Sequence, residues 1–121
     1  MDRPIIIVED DAAIRESLEE LLISEGYTVR TAMHGGEGLA LIEEFSGRCI
    51  VLLDLQMPVM NGEQLLDALS VHPNSEVEST PVIVLTARGE PLRRKVAGFI
   101  RKPLNVEELL QTIAFLGMAK S

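Results

Sequence analysis

The sequence contains few of the residue types on which several protein classes depend. Its 121 residues include one cysteine, two histidines and no tryptophan. A single cysteine cannot form an internal disulfide, so a small disulfide-stabilised fold is excluded. No apolar run approaches the length needed to cross a bilayer, and the N-terminus lacks the pattern of a secretory signal. We therefore predict a cytoplasmic protein without membrane contact.

Positive charge is also scarce. The chain has 11 Lys and Arg against 19 Asp and Glu, which gives a formal net charge of −8. A nucleic-acid backbone requires a cationic protein face, so this balance argues against direct binding to DNA or RNA.

The apolar fraction of 46% and the charged fraction of 25% are ordinary for a folded globular protein. A chain of this length is expected to form one domain, which we place at residues 1–121.

Short apolar runs alternate with helical patterns five times along the chain. The predicted strands are Ile5–Val8, Tyr27–Ala32, Ile50–Leu53, Val82–Leu85 and one that contains Phe99–Ile100. The second is the most polar, which is typical of a strand at or near the edge of a sheet. Strands that alternate with helices at this spacing predict a parallel α/β sheet covered on both faces.

The segments between the strands contain recognisable helix signals. Apolar residues recur at helical spacing after each of the first three strands, and Asp11 is placed to cap the first helix. Gly35–Gly36 is predicted to form a turn before the second helix. His72–Pro81 reads HPNSEVESTP and is predicted to be a polar loop. Asn105, with Glu108 three residues later, is predicted to cap the last helix.

Polar side chains follow four of the five predicted strands. They are Glu9, Asp10 and Asp11 after the first strand, Asp54 after the third, Thr86 after the fourth and Lys102 after the fifth. Parallel strands end at a common edge, so these groups are expected to gather there. Two carboxylates 4 Å apart repel by roughly 4 kcal/mol at an effective dielectric near 20, and a hard cation such as Mg²⁺ relieves this repulsion. A carboxylate beside a cation, an ammonium and a hydroxyl is suited to accept a phosphoryl group.

Each of these residues alone has an ordinary structural explanation. Acids before a helix often cap it, and an aspartate after a strand often forms a turn. A lone lysine is usually solvated, and a lone threonine in a strand usually reflects strand propensity. Their joint placement at one sheet edge is what favours a functional site.

Four motifs in sequence order resemble the receiver domain of two-component response regulators. They are IIIVEDD, LLDLQMPVMNG, VIVLTA and FIRKP, and the similarity extends from Ile5 to about Leu116. The resemblance implies a flavodoxin-like fold, with a five-stranded parallel sheet of order 2-1-3-4-5 and helices on both faces. It also implies a phosphorylation-controlled signalling switch in a phosphorelay. Such a receiver catalyses its own phosphorylation and dephosphorylation and is not an enzyme acting on a separate substrate.

The resemblance implies a phosphoryl acceptor and a cation site. Asp54 would accept a phosphoryl group from a phosphohistidine on a sensor histidine kinase or a histidine phosphotransfer protein. Asp10, Asp54 and the backbone carbonyl of Gln56 would bind Mg²⁺, and Glu9 would act on the cation through a water molecule.

The same resemblance implies how the phosphorylated state is detected. Thr86 and Lys102 would contact the phosphoryl oxygens, and the Lys102–Pro103 peptide would be cis. Phe99 matches the aromatic position that changes orientation together with Thr86. A downstream protein partner or an output domain would then read the altered surface. An output domain does not fit within this chain, so either a stand-alone receiver or a part of a longer protein is consistent with it.

The segment between Thr86 and Lys102 departs from the receiver pattern. The two residues are several positions closer than is usual, and Gly89 and Pro91 lie between them. Both residues are unfavourable inside helices, so the fourth helix is expected to be short or irregular. This departure affects the face through which many receivers dimerise or contact their outputs.

The region from 88 to 102 is also basic. It contains six of the 11 Lys and Arg, namely Arg88, Arg93, Arg94, Lys95, Arg101 and Lys102. One interpretation is a docking surface for an acidic partner, and the other is a solvated face that offsets an acidic protein. We favour the solvated face.

Three other functions are compatible with parts of the pattern. A haloacid-dehalogenase-type phosphatase also uses an aspartyl nucleophile, but requires an aspartate where this chain has Gln56. A flavodoxin-like binding module needs a phosphate-binding loop after the first strand, where EDDAA would repel phosphate. A pseudo-receiver that signals by binding alone is disfavoured by the presence of Asp10, Asp54, Thr86 and Lys102.

Overall fold

One parallel sheet forms the centre of the fold. The computed structural model describes residues 3–55, 62–86 and 96–118. Its strands are β1 (Ile5–Val8), β2 (Val29–Ala32), β3 (Ile50–Asp54), β4 (Val82–Thr86) and β5 (Gly98–Arg101). They pair in the order β2-β1-β3-β4-β5, and every pair is parallel. The predicted strands and the implied strand order are confirmed, and β2 lies at an edge as expected.

Helices cover both faces of this sheet. They are α1 (Ala12–Ser24), α2 (Gly35–Glu44), α3 (Gly62–Ser70), α4 (Ser75–Glu78) and α5 (Val106–Met118). The Asp11 side chain caps α1 by accepting a hydrogen bond from the Ile14 N–H at 3.0 Å. Asn105 accepts one from the Glu108 N–H at 3.0 Å before α5. Both predicted caps are therefore confirmed, whereas the turn predicted at Gly35–Gly36 is the first turn of α2.

The three inner strands are buried along their whole length. Successive side chains of a strand point to opposite faces, so strands covered on both sides are continuously apolar. Ile6, Val8, Val51 and Leu53 pack with α2, α3 and α4 on one face. The other face packs against α1 and α5, and its strand residues include Ile5, Ile7, Leu52, Leu85 and Ile100.

The predicted loop at His72–Pro81 is wrong in part, because it contains the one-turn helix α4. Asn74 accepts hydrogen bonds from the N–H groups of Glu76 at 2.9 Å and Val77 at 3.3 Å. Val77 is buried against α3 and the sheet. Burying a valine contributes about 1.5–3 kcal/mol, which offsets the cost of ordering a polar segment.

The single cysteine, Cys49, is fully buried, and burial raises the pKa of its thiol to about 12. The thiol therefore stays protonated at neutral pH and packs as a small apolar group. None of the described helices is long and apolar enough to span a membrane.

The short or irregular helix expected between the fourth and fifth strands falls mainly in 87–95, outside the described residues. Four residues of the basic segment, Arg88, Arg93, Arg94 and Lys95, fall in the same range. Arg101 is exposed at the end of β5, whereas Lys102 is only partly exposed.

Candidate functional site

The strand register brings the predicted site residues to one edge of the sheet. Val8 pairs with Leu53, so Glu9 and Asp54 leave neighbouring strands at the same level. Thr86 pairs with Arg101 one strand further on, which places Lys102 directly beyond it. The gathering predicted from parallel strand ends is therefore present in the structure.

Three carboxylates form the centre of this edge. Glu9, Asp10 and Asp54 each place an oxygen within 4.8 Å of the others. Glu9 is 1% exposed and Asp54 is 5% exposed, whereas Asp10 is open to solvent. Burial weakens solvent screening, so repulsion between Glu9 and Asp54 is stronger than at a surface.

Lys102 supplies the positive charge of the site. Its Nζ lies 3.5 Å from Oδ1 of Asp54 and 4.0 Å from Oε1 of Glu9. Its backbone N–H donates to the carbonyl of Thr86 at 2.7 Å, and the peptide bond to Pro103 is cis, as the resemblance implied. The lysine is therefore held at the acidic cluster by its backbone as well as by its charge.

Glu9 is the most electrostatically unusual residue of the described chain. Burial, and then the neighbouring Asp54 carboxylate, raise its pKa to about 8. Its Oε2 accepts the N–H of Asp11 at 3.2 Å, but its buried Oε1 has no hydrogen-bond partner. Without a cation, Glu9 therefore retains its proton at neutral pH.

Arg15 contacts the acidic loop and was missed by the sequence analysis. Its Nη1 donates to the backbone carbonyl of Glu9 at 3.0 Å and lies 3.4 Å from that of Asp10. Arg15 lies in the first turn of α1, where its N–H also donates to the Asp11 carbonyl at 2.9 Å. A cationic side chain one helical turn after an acidic loop is the signal that would have identified it.

Thr86 and Phe99 differ in their exposure. Thr86 is 3% exposed at the end of β4, beside the acidic cluster. Phe99 is 38% exposed, and its side chain points away from the face into which Ile100 is buried.

Gln56, the remaining predicted site residue, lies outside the described residues. The described residues that border 56–61 are joined by a hydrogen bond, in which the Gly62 N–H donates to the Leu55 carbonyl at 3.1 Å.

Residues 5–114 match the family described as the response regulator receiver domain. The chain belongs to this family. Receivers of two-component response regulators are the phosphorylation-controlled part of the signalling system.

Two of the similar sequences are longer response regulators. The receiver is 36% identical over 115 residues to transcriptional regulatory protein CpxR of Escherichia coli (strain K12), covering 90% of this chain and 47% of that protein. It is 37% identical over 113 residues to response regulator MprA of Mycolicibacterium vanbaalenii, covering 88% of this chain and 46% of that protein. The chain thus spans about half the length of these relatives.

Solved receiver structures confirm the fold. The chemotaxis response regulator CheY4 of Vibrio cholerae superposes with a TM-score of 0.82 at 29% identity, covering 96% of this chain and 99% of that one. A chain in the CheX–CheY–BeF3–Mg²⁺ complex of Borrelia burgdorferi gives 0.81 at 26% identity, covering 94% and 88%. The flavodoxin-like receiver architecture implied by the sequence motifs is therefore correct.

The donor set of this receiver fits a hard divalent cation. Mg²⁺ prefers oxygen ligands, and the three carboxylates offer oxygens within 4.8 Å of one another. One buried oxygen, Oε1 of Glu9, lacks a hydrogen-bond partner. A cation, directly or through water, would satisfy that oxygen and reduce the repulsion between the acids.

Proposed function

We propose that Asp54 accepts a phosphoryl group from a phosphohistidine on a sensor histidine kinase or a histidine phosphotransfer protein. An Asp54 carboxylate oxygen attacks phosphorus, the P–N bond breaks, and the leaving imidazole takes up a proton. The observation that carries this proposal is the 3.5 Å separation of Lys102 Nζ from Asp54 Oδ1, beside the buried Glu9 and the exposed Asp10. Phosphoryl transfer depends mainly on positioning and charge neutralisation, which these side chains can supply.

Mg²⁺ is the proposed cofactor of this receiver. Asp10, Asp54 and the backbone carbonyl of Gln56 hold it, and Glu9 acts through a water molecule. When bound, the cation neutralises charge on the phosphoryl oxygens. The geometry of Glu9, Asp10 and Asp54 supports the carboxylate part of this set, and the resemblance to receivers supports the part of Gln56.

Lys102 and Thr86 bind the phosphoryl group after transfer. The Lys102 ammonium pairs with one phosphoryl oxygen, and the Thr86 hydroxyl donates a hydrogen bond to another. Both residues lie beside the acceptor at the carboxyl ends of neighbouring strands. They are positioned to stabilise negative charge that is absent before phosphorylation.

Phe99 is the proposed second element of the switch. Its ring is 38% exposed on an edge strand, so a change of rotamer would alter the surface that a partner contacts. Phosphorylation shifts the receiver between pre-existing arrangements of Thr86 and Phe99. A downstream protein or an output domain reads the result, and direct nucleic-acid binding is not part of the proposal.

The proposed working unit is one receiver domain over residues 1–121, acting in the cytoplasm. It catalyses its own phosphorylation and dephosphorylation and does not process a separate substrate. The family match over 5–114 supports this unit.

Phosphorylation by phosphoramidate tests the function, because this small donor carries a P–N bond like that of phosphohistidine. With Mg²⁺, intact-mass spectrometry should show one added phosphoryl group on the parent protein and on Asp67→Asn, which removes an exposed carboxylate from α3. Asp54→Asn should show none, and excess EDTA should abolish labelling of the parent. Failure to label the parent, or equal labelling of Asp54→Asn, would contradict the proposal.

A further inference from the structure

The Arg15 side chain links the first turn of α1 to the backbone of the two acids that follow β1. Its Nη1 lies 3.0 Å from the Glu9 carbonyl oxygen and 3.4 Å from that of Asp10. Both contacts are to backbone atoms, so Arg15 acts on the path of the loop. One Nη1 group carries two N–H donors, so it can reach both carbonyl oxygens at once.

The same loop is held by three further hydrogen bonds. The Glu9 N–H donates to the Ala32 carbonyl at 3.0 Å, and the Asp11 N–H donates to Glu9 Oε2 at 3.2 Å. Asp11 in turn caps α1 through Ile14. Arg15 adds contacts to the carbonyl oxygens of Glu9 and Asp10. These contacts fix the peptide planes that follow the two residues, and therefore the directions in which their side chains project.

We propose that Arg15 is a positioning residue of the cation site, which holds the Glu9–Asp10 backbone so that the carboxylates converge. This inference rests on the proposed Mg²⁺ site. It assigns Arg15 no contact with the cation or the phosphoryl group. Groups that orient metal ligands through a second layer of hydrogen bonds typically change metal affinity by about 10- to 100-fold when removed.

The direction in which Arg15→Met changes Mg²⁺ binding distinguishes a positioning role of Arg15 from simple electrostatic repulsion of the cation. A positive guanidinium near the site repels a divalent cation, so on charge alone Arg15→Met should tighten Mg²⁺ binding. If Arg15 positions the acids, the same substitution should weaken binding. Arg15→Lys retains the charge, but its Nζ lies one covalent bond closer to the backbone than Nη1 does and does not reach both carbonyl oxygens, so it should also weaken binding.

The test is Mg²⁺ titration of the unphosphorylated protein by calorimetry. We expect the dissociation constant to rise about tenfold in Arg15→Met and by at least about threefold in Arg15→Lys. Arg48→Met is the matched control, because it removes one arginine that is 71% exposed beyond the opposite edge of the sheet. Its dissociation constant should stay within about twofold of the parent value, which is the scatter expected of a remote surface change. Thermal melts establish that each variant is folded.

Two further readouts distinguish positioning from a general loss of structure. Amide hydrogen exchange at Asp11 should be faster in Arg15→Met, because the Asp11–Glu9 bond depends on the loop path. With phosphoramidate, half-maximal labelling should require about tenfold more Mg²⁺, whereas the rate at saturating Mg²⁺ should change by less than about twofold.

Unchanged or tighter Mg²⁺ binding by Arg15→Met would overturn the inference, as would a parent protein that binds no Mg²⁺. A parent that binds Mg²⁺ in an Arg15-dependent way but accepts no phosphoryl group would contradict the proposed function and leave the role of Arg15 supported. The two proposals can therefore fail separately.

Discussion

Buried polar groups differ between the two ends of the strands, which we call the amino edge, where the strands begin, and the carboxyl edge, where they end. Before β4, at the amino edge, the buried Thr80 hydroxyl lies 3.4 Å from both the Gly47 and the Glu76 carbonyl oxygens. At the carboxyl edge, Oε1 of Glu9 is buried without a hydrogen-bond partner, beside the carboxylate of Asp54. Burial of Glu9 beside the Asp54 carboxylate opposes its ionisation and raises its pKa, so the carboxyl edge retains an unfavourable arrangement that the Thr80 hydroxyl does not create. We infer that one edge stabilises the fold and that the other is adapted to a ligand.

The largest expected effect is a pH dependence of the unfolding free energy, which comes from Glu9 at the carboxyl edge. The pKa of Glu9 is about 8 in the folded chain, against an ordinary value of 4.5 for a solvated glutamate. Below the lower pKa, Glu9 is protonated in both the folded and the unfolded chain. Between the two pKa values, it ionises in the unfolded chain but keeps its proton in the folded chain. The contribution of Glu9 to stability should therefore fall as pH rises, by at most about 1.4 kcal/mol per pH unit, and level off above the folded pKa.

Urea denaturation in EDTA between pH 5 and pH 9 measures this contribution. The unfolding free energy of the parent minus that of Glu9→Gln should decrease across the window, because the glutamine cannot titrate. Excess Mg²⁺ should reduce the decrease, since a cation favours the ionised carboxylate. A difference that does not vary with pH would show that Glu9 is not protonated in the folded protein.

An intermediate loss of unfolding free energy is expected when Gly47, at the amino edge, is replaced by alanine. Gly47 has a φ of +76°, and a Cβ there would lie 2.2 Å from the Glu76 carbonyl oxygen. Gly47→Ala should therefore lower the unfolding free energy by about 3 kcal/mol, from backbone strain and displacement of α4 together. The dissociation constant for Mg²⁺ should stay within about twofold of the parent value, the scatter of a remote change.

Gly26→Ala is the matched control for that substitution. Gly26 also has a positive φ, +94°, but a Cβ there would have no neighbour within 4 Å. Strain alone should cost about 1 kcal/mol. Equal losses in the two variants would show that the close approach of Gly47 to Glu76 contributes nothing to the amino edge.

The smallest expected effect concerns the cap of α4. Asn74→Ala removes the side chain that accepts hydrogen bonds from two N–H groups of this helix. Loss of such a cap typically costs about 1 kcal/mol, which chemical denaturation can resolve. Asn74→Asp should retain most of the stability. A change in Mg²⁺ affinity in either variant would contradict the independence of the two edges.

The fold was predictable because buried parallel strands have a strong sequence pattern. Uninterrupted apolar runs such as Ile50–Leu53 end in polar residues, and this contrast marks both the strand and its end. The short helix α4 was not predicted, because four residues in a polar, proline-flanked segment give no helical periodicity. Asn74 three residues before the buried Val77 was the only local signal.

The gathering of these side chains at one end of the sheet was predictable, but their burial and pKa values were not. Parallel topology alone brings the acids, Thr86 and Lys102 to one edge. Glu9 and Asp10 are adjacent and chemically similar, yet one is buried and the other exposed. That distinction depends on the packing around the loop, which sequence patterns do not encode. The contact of Arg15 with two backbone carbonyls depends on the same packing.

The hydrogen bond from the Lys102 N–H to the Thr86 carbonyl has a consequence for motion. At 2.7 Å it fixes the end of β4 to the residue that follows β5, while Asp54 pairs with Leu85 on the other side. Sliding Thr86 toward Asp54 would break this main-chain bond, whereas turning its side chain would not. A rearrangement of Thr86 is thus expected to be a rotation about χ1, with the three strands serving as a stationary frame.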